Sequence, residues 1–276
     1  MPLDPIVLDL LPKVVALLFT GALAGTLAGL LGVGGGIVIV PVLFYLFGVL
    51  ELAPQSAMHV AVGTSLATII PTSIASMRAH FRRGSIDTDL LKVWGVAAFL
   101  GAMLGAVISG YVKGTVLTAV FAVIAGLVAV NMATPNGLRV ADSLPGNRFG
   151  SGLLGFVIGT FSVMMGIGGG TLSVPVLSAF NFPIHRAVGT ASALGLAIGL
   201  PGAIGFVIAG WGIADVPPLS IGYVNLVGFA LIFPMSVLMA PVGARLAHAL
   251  SRIWLRRAFA LFLGVTSVRM FVKLMS

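Results

Sequence analysis

Nearly unbroken apolar runs recur along this chain, from Val14 to Leu31, Val93 to Ile108, Val116 to Met132, Leu226 to Val242 and Ala258 to Val268, with short polar punctuation between them. A helix needs roughly 17 to 25 such residues to span the hydrocarbon of a bilayer. Strands of a membrane barrel would alternate apolar and polar residues, and these runs do not. With 59% hydrophobic and 8% charged residues, a single water-soluble core cannot hide the apolar surface, so lipid must act as solvent. The expected fold class is all-α: a polytopic, multi-pass integral protein of the inner or plasma membrane, with the lipid bilayer as its first partner.

A formal charge of +8 raises nucleic-acid binding, because basic patches neutralise phosphates. The distribution argues against it. Arg78, Arg82 and Arg83 form one cluster and Arg245, Arg252, Arg256 and Arg257 another, both in short loops bordering apolar runs, where cations mark the cytoplasmic side. No nucleic-acid partner is expected. The absence of cysteine excludes disulfides, thiolate chemistry and cysteine metal sites. Met1 to Leu11 carries Asp4 and Asp9 and lacks the basic start of a secretory signal, so the first apolar run reads as a retained helix.

The sequence also contains two diverged copies of one half. Leu31-Gly32-Val33-Gly34-Gly35-Gly36 with Val40-Pro41-Val42-Leu43 recurs as Met165-Gly166-Ile167-Gly168-Gly169-Gly170 with Val174-Pro175-Val176-Leu177. His59-Val60-Ala61-Val62-Gly63-Thr64-Ser65 recurs as His185-Arg186-Ala187-Val188-Gly189-Thr190-Ala191. Then Gly84, Ile86, Asp87, Phe121, Gly126, Val130 and Met132 match Gly222, Val224, Asn225, Phe259, Gly264, Val268 and Met270 at one constant offset. The polar stretch around Thr134 to Asn147 separates the copies. The expected division is a first membrane repeat over 1–133, a cytoplasmic linker over 134–148 and a second repeat over 149–276.

Corresponding loops differ in charge. The basic loop Arg78 to Arg83 has as its partner Gly210 to Ser220, which holds Asp215 and no Lys or Arg; Tyr111 to Thr115 carries one Lys, and its partner sits amid Arg245, Arg252, Arg256 and Arg257. Opposite charge predicts inverted repeats, each with an odd number of crossings, both termini outside, and the linker with Arg139 and Arg148 in the cytoplasm. Five hydrophobic segments per repeat fit, about 13–33, 37–49, 55–78, 88–111 and 115–133 in the first. The second segment is short enough for a re-entrant helix, and a hairpin of the first two segments preserves the odd parity.

Gly34, Gly35 and Gly36, with Gly168, Gly169 and Gly170, invite a helix break that exposes backbone groups. At membrane depth such backbone is tolerated only beside protein or a water-filled cavity. A broken helix aims N–H groups and a positive dipole end at the occupant, which suits an anion. Packing through small residues is the alternative, and it accounts for Gly21-xxx-Gly25-xxx-Gly29 and Gly101-xxx-Gly105. Gly63, Thr64 and Ser65, with Gly189 and Thr190, add hydroxyls able to donate to an oxyanion without a titrating charge; equally, such hydroxyls bond their own backbone. Asn225 and Asp87 open equivalent segments, where helix capping competes with ligand contact.

All seven acids fall in loops or at segment ends, so an embedded carboxylate relay is not expected. Neither triple glycine is followed by the Lys-Ser or Lys-Thr of a P-loop, and the four histidines lack metal-ligand spacing. No metal, no cofactor and no enzymatic centre is expected.

Taken together, the Gly-rich stretch with Pro41, its copy with Pro175, the paired Gly-Thr motifs, Arg82-Arg83-Gly84-Ser85-Ile86-Asp87, and Gly222-Tyr223-Val224-Asn225 followed by Ala240-Pro241-Val242-Gly243-Ala244-Arg245 resemble the TauE/SafE family of membrane transporters. The likeness covers nearly the whole chain and departs from the family pattern at Ala191, where the first repeat has Ser65. It implies transport, mainly export, of a small organosulfur or sulfur oxyanion such as sulfite, sulfoacetate or a related sulfonate. Twelve positions follow as the expected substrate contacts: Gly34, Gly35, Gly36, Gly63, Thr64, Ser65, Gly168, Gly169, Gly170, Gly189, Thr190 and Asn225. Access would alternate by rocking one repeat against the other. The competing reading is an intramembrane enzyme or a non-transporting assembly component, and self-association as a homo-oligomer is left open.

Overall fold

The computed structural model describes residues 5–32, 34–134, 140–247 and 252–275. In chain order the helices are α1 (Pro5–Leu31), α2 (Gly36–Val49), α3 (Ala57–Phe81), α4 (Thr88–Tyr111), α5 (Gly114–Ala133), α6 (Arg148–Met165), α7 (Gly170–Ala179), α8 (Ile184–Ala209), α9 (Leu226–Leu246) and α10 (Arg252–Met275). A two-stranded antiparallel ribbon, β1 (Ser220–Ile221) and β2 (Val224–Asn225), precedes α9. The all-α membrane class is what the chain adopts. Among the described residues, α1, α3, α4, α5, α6, α8 and α9 are long and apolar enough to cross a membrane. The short helices are α2, with 14 residues, and α7, with 10. The Arg139 assigned to the linker lies outside the described residues.

Burial confirms lipid as the solvent. Leu127, Leu238 and Leu261 are 65%, 67% and 70% exposed on the outside of the bundle. The interior instead takes small and hydroxyl-bearing residues, among them Thr64, Ser65, Thr68, Thr72, Thr190 and Ser236. Without a hydrophobic drive between helices in lipid, close backbone packing holds such a bundle together. Glycine supplies it. Along α1, Gly21, Gly25 and Gly29 lie against Ile232, Ser236 and Ala240 of α9; along α4, Gly101 and Gly105 meet Phe156 and Thr160 of α6, while Gly159 of α6 meets Ala98. At each of these a Cβ would overlap partner backbone.

The pairings follow a two-fold pattern. Exchanging α1–α5 for α6–α10 turns the α1/α9 seam into the α6/α4 seam, and maps the α3/α8 and α5/α10 contacts onto themselves. In both seams the helices run parallel, since contacts advance together along the two chains. The α3/α8 pair runs antiparallel: Gly195 meets Ser73, Gly199 meets Ile69 and Leu66, and Gly202 meets Leu66. Two equivalent helices that cross antiparallel are what an inverted arrangement demands.

Each short helix is the return arm of a hairpin. After α1 the chain passes Gly32 and doubles back, so that Gly35 sits against Ala24, well before the end of α1. The middle of α2 then approaches the start of α9, where Leu43 meets Gly228. Charge is segregated along the bundle: the Arg83 guanidinium donates to Ala244 O, which draws the first basic cluster to the end of α9 that carries Arg245.

Candidate functional site

The two glycine breaks meet at the centre of the bundle. A Cβ placed on Gly34 would lie 3.1 Å from Gly168 Cα and 3.2 Å from the Ile69 side chain. One placed on Gly36 would overlap Gly166 O and come within 2.9 Å of Ile167 Cα. The backbones of both breaks therefore touch, with α3 and α8 crossing beside them. Gly32 and Gly166 end α1 and α6 at φ +68° and +67°, the left-handed turn that terminates a helix without a side-chain penalty. In α2 the Val38 N–H bonds back to Gly35 O, and the earliest N–H groups of α2 and α7 have no intrahelical acceptor, as in any first turn.

The Gly-Thr motifs work as a second matched pair. Thr64 Oγ1 accepts the backbone N–H of Asn225 at 2.9 Å, and Thr190 Oγ1 accepts that of Asp87 at 2.9 Å. Asn225 Oδ1 in turn caps α9 by accepting from Gly228 N, and Asp87 Oδ1 caps α4 by accepting from Leu90 N. Gly63 and Gly189 make room for this, since a Cβ at either would overlap Tyr223 O or Ser85 O of the loop leading to the cap. Each Gly-Thr pair thus clamps the start of a helix from the other half of the chain. The Asn225 side-chain NH2 also donates to Pro218 O and Ser220 Oγ, so its polar groups are all engaged within the fold. Asp87 adds an ion pair to Arg186 at 2.8 Å. Thr64→Val and Thr190→Val keep the shape and orphan a buried N–H, so each is expected to cost about 1 to 3 kcal/mol of stability. Thermal melting in detergent checks this, and melting points unchanged from wild type would contradict the clamp.

Ser65 donates to Gly166 O at 2.7 Å, bonding α3 directly to the second break. Its counterpart Ala191 cannot do the same, and neighbouring Ser192 donates to Gly189 O within its own helix. Of the twelve expected contacts, the triple glycines and Ser65 come together at the centre. Gly63, Thr64, Gly189, Thr190 and Asn225 form the two clamps.

The paired histidines diverge. His185 is exposed, whereas His59 is buried, stacked on Tyr223 at 4.9 Å between ring centroids. Both contacts of His59 Nε2, at 3.1 Å to Ser109 O and 3.1 Å to Val112 O, are carbonyls, which makes Nε2 the protonated nitrogen. In the loop before α9, burial first and the Asp215 charge second push the Tyr223 phenol above its ordinary range. Asp215 itself accepts from Gln55 N and Ser56 N at the start of α3. Among the described residues no group of three His, Cys, Asp or Glu is placed to hold a metal.

Sequence reasoning missed Ser73, Ser162 and Thr171, whose hydroxyls are buried and have no hydrogen-bond partner among the described residues. Setting the second glycine stretch under the first shows Thr171 standing opposite Ile37, a signal that was available.

The family model described as Sulfite exporter TauE/SafE matches residues 17–270. A "Probable membrane transporter protein" of Haemophilus influenzae is 33% identical over 256 residues, covering 93% of this chain and 97% of that protein. The "Probable membrane transporter protein YunE" of Bacillus subtilis is 29% identical, covering 71% and 79%. A further "Probable membrane transporter protein" of Methanocaldococcus jannaschii is 24% identical, covering 92% and 94%. No solved structure matches the chain. A family match over nearly its whole length, joined to an all-helical bundle that fits a bilayer, makes this chain a membrane transporter of the sulfite exporter TauE/SafE family.

Proposed function

We propose that this transporter carries a small sulfur oxyanion, sulfite or an organosulfonate such as sulfoacetate, through the point where the two glycine breaks meet. One observation carries the reading: two helix starts, from equivalent places in the chain, converge on a common centre in a bundle where the described acidic residues occupy helix ends and loops. Backbone N–H groups at a helix start favour negative charge, and neutral hydroxyls add donors without trapping the ion. Residues 1–133 and 149–276 act as the inverted repeats, joined by 134–148. The end with Arg83 and Arg245 faces the cytoplasm, which leaves both termini on the other side of the inner membrane.

Rocking the repeats as rigid bodies would open the α1/α9 and α4/α6 seams, where backbones interlock. Motion of the short helices α2 and α7 around the central contact leaves both seams closed, and it supplies the alternating access here. Neither an intramembrane enzyme nor an assembly component accounts for a family of named transporters.

The test is counterflow of labelled sulfite and sulfoacetate in proteoliposomes holding folded protein. Saturable exchange that unlabelled sulfite competes away is expected. If no sulfur oxyanion exchanges, the substrate assignment falls.

A further inference from the structure

The two breaks are alike in backbone and unlike in the side chains that surround them. Aligned residue by residue, the second carries Thr171, Ser173 and Ser162 where the first has Ile37, Ile39 and Ala28. The crossing helices repeat the bias, because α3 has Ser65 and Ser73 where α8 has Ala191 and Gly199. Two of these five hydroxyls are engaged at the second break itself: Ser65 donates to Gly166 O, and Ser173 donates to Gly169 O.

The other three are unpaired. Ser73, Ser162 and Thr171 are 1%, 0% and 1% exposed, and their hydroxyl oxygens have no partner among the described residues. A Cβ placed on Gly195 would overlap Ser73 Oγ and lie 3.9 Å from the N of Gly169, the N-cap residue of α7, so Ser73 and the start of α7 flank the same glycine. Thr171 lies in the first turn of α7. Buried hydroxyls normally find partners, and two left open at the start of α7, Ser73 and Thr171, mark a place prepared for an acceptor. A cation would be repelled by the first N–H groups of α7, and an apolar ligand would leave the hydroxyls unpaired.

Resting on the oxyanion reading above, we infer that the anion is held off the two-fold axis, at the second break, by the Ser73 and Thr171 hydroxyls together with the first N–H groups of α7. The first break, walled by Ile37 and Ile39, is an apolar counter-surface that closes over it. The transporter is thus symmetric in scaffold and one-sided in chemistry. Binding and release then depend on movement of α7 more than of α2.

Sulfite counterflow in proteoliposomes, with thermal stabilisation by sulfite in detergent, tests this on Ser73→Ala, Thr171→Val, Thr171→Ser and Gly48→Ala. Removing an unpaired hydroxyl breaks no bond of the fold, so the first two variants are expected to melt no lower than wild type. Each raises the sulfite concentration for half-maximal exchange by about tenfold or more, the usual scale for losing a hydrogen bond to a charged group. Thr171→Ser, which restores a hydroxyl, and Gly48→Ala, in open space on α2, stay within about threefold of wild type. Unchanged affinity in both Ser73→Ala and Thr171→Val, with wild type exchanging sulfite, overturns the one-sided site alone. A wild-type protein that exchanges neither sulfite nor sulfoacetate overturns the oxyanion reading and this inference with it.

Discussion

Gly29→Val will not accumulate as folded protein. A Cβ at Gly29 would overlap Ala240 O and lie 2.6 Å from Ala244 N, so the obstacle is the backbone of α9 and no side chain can swing aside. Relief requires the α1/α9 seam to open along its length, because Gly25 and Gly21 pack on the same partner one and two turns earlier. Overpacking a tight core costs about 1 to 3 kcal/mol where neighbours can yield, and more where they are main chain. A loss of at least about 3 kcal/mol is expected, seen as aggregation on size exclusion and a collapsed melting transition. Gly264→Val is the matched control, since nothing lies within 4 Å of a Cβ there. A wild-type melt for Gly29→Val would mean that the seam is not packed as described.

Gly36→Ala adds a single methyl and is expected to abolish exchange while leaving a folded bundle. That methyl would overlap Gly166 O and come within 2.9 Å of both Ile167 Cα and Ile69 Cδ1, wedging the two breaks apart at the point where they meet. Displacement of a binding geometry by about an ångström costs on the order of 100-fold or more in rate. The cost to folding is smaller, about 1 to 3 kcal/mol, because a single methyl is added in place of a branched side chain. Counterflow and melting measured on the same preparation separate the two effects. Gly48→Ala, on the same helix in open space, should behave as wild type. Folded Gly36→Ala that exchanges at the wild-type rate would remove the central contact from the transport path.

Much of this architecture is visible in the sequence because lipid imposes simple rules. The segments expected at 88–111 and 115–133 correspond to α4, Thr88–Tyr111, and α5, Gly114–Ala133, since polar residues and glycine bound apolar runs of membrane-spanning length. The capping role of Asp87 and Asn225 was among the readings weighed, and both residues cap. Composition could not say why the glycines are needed. At Gly169 the reason is space and not backbone angle: φ is −55°, an ordinary helical value, but a Cβ would lie 2.7 Å from Leu194 Cβ. The sequence shows hydroxyls at Thr64 and Thr190 without showing that their oxygens accept main-chain N–H groups from helices more than a hundred residues away. Partner choice of that kind is set by tertiary packing, which no local pattern encodes.

The α1/α9 seam has a consequence for how the protein is made. α1 leaves the ribosome about two hundred residues before α9, yet the surface that its glycines fit is on α9. Until then its small-residue face has lipid, the translocon or a chaperone beside it in place of its own partner. Assembly of the seam therefore waits for α9 to be made, and chains that stop before α9 present an unmatched groove for membrane quality control to recognise.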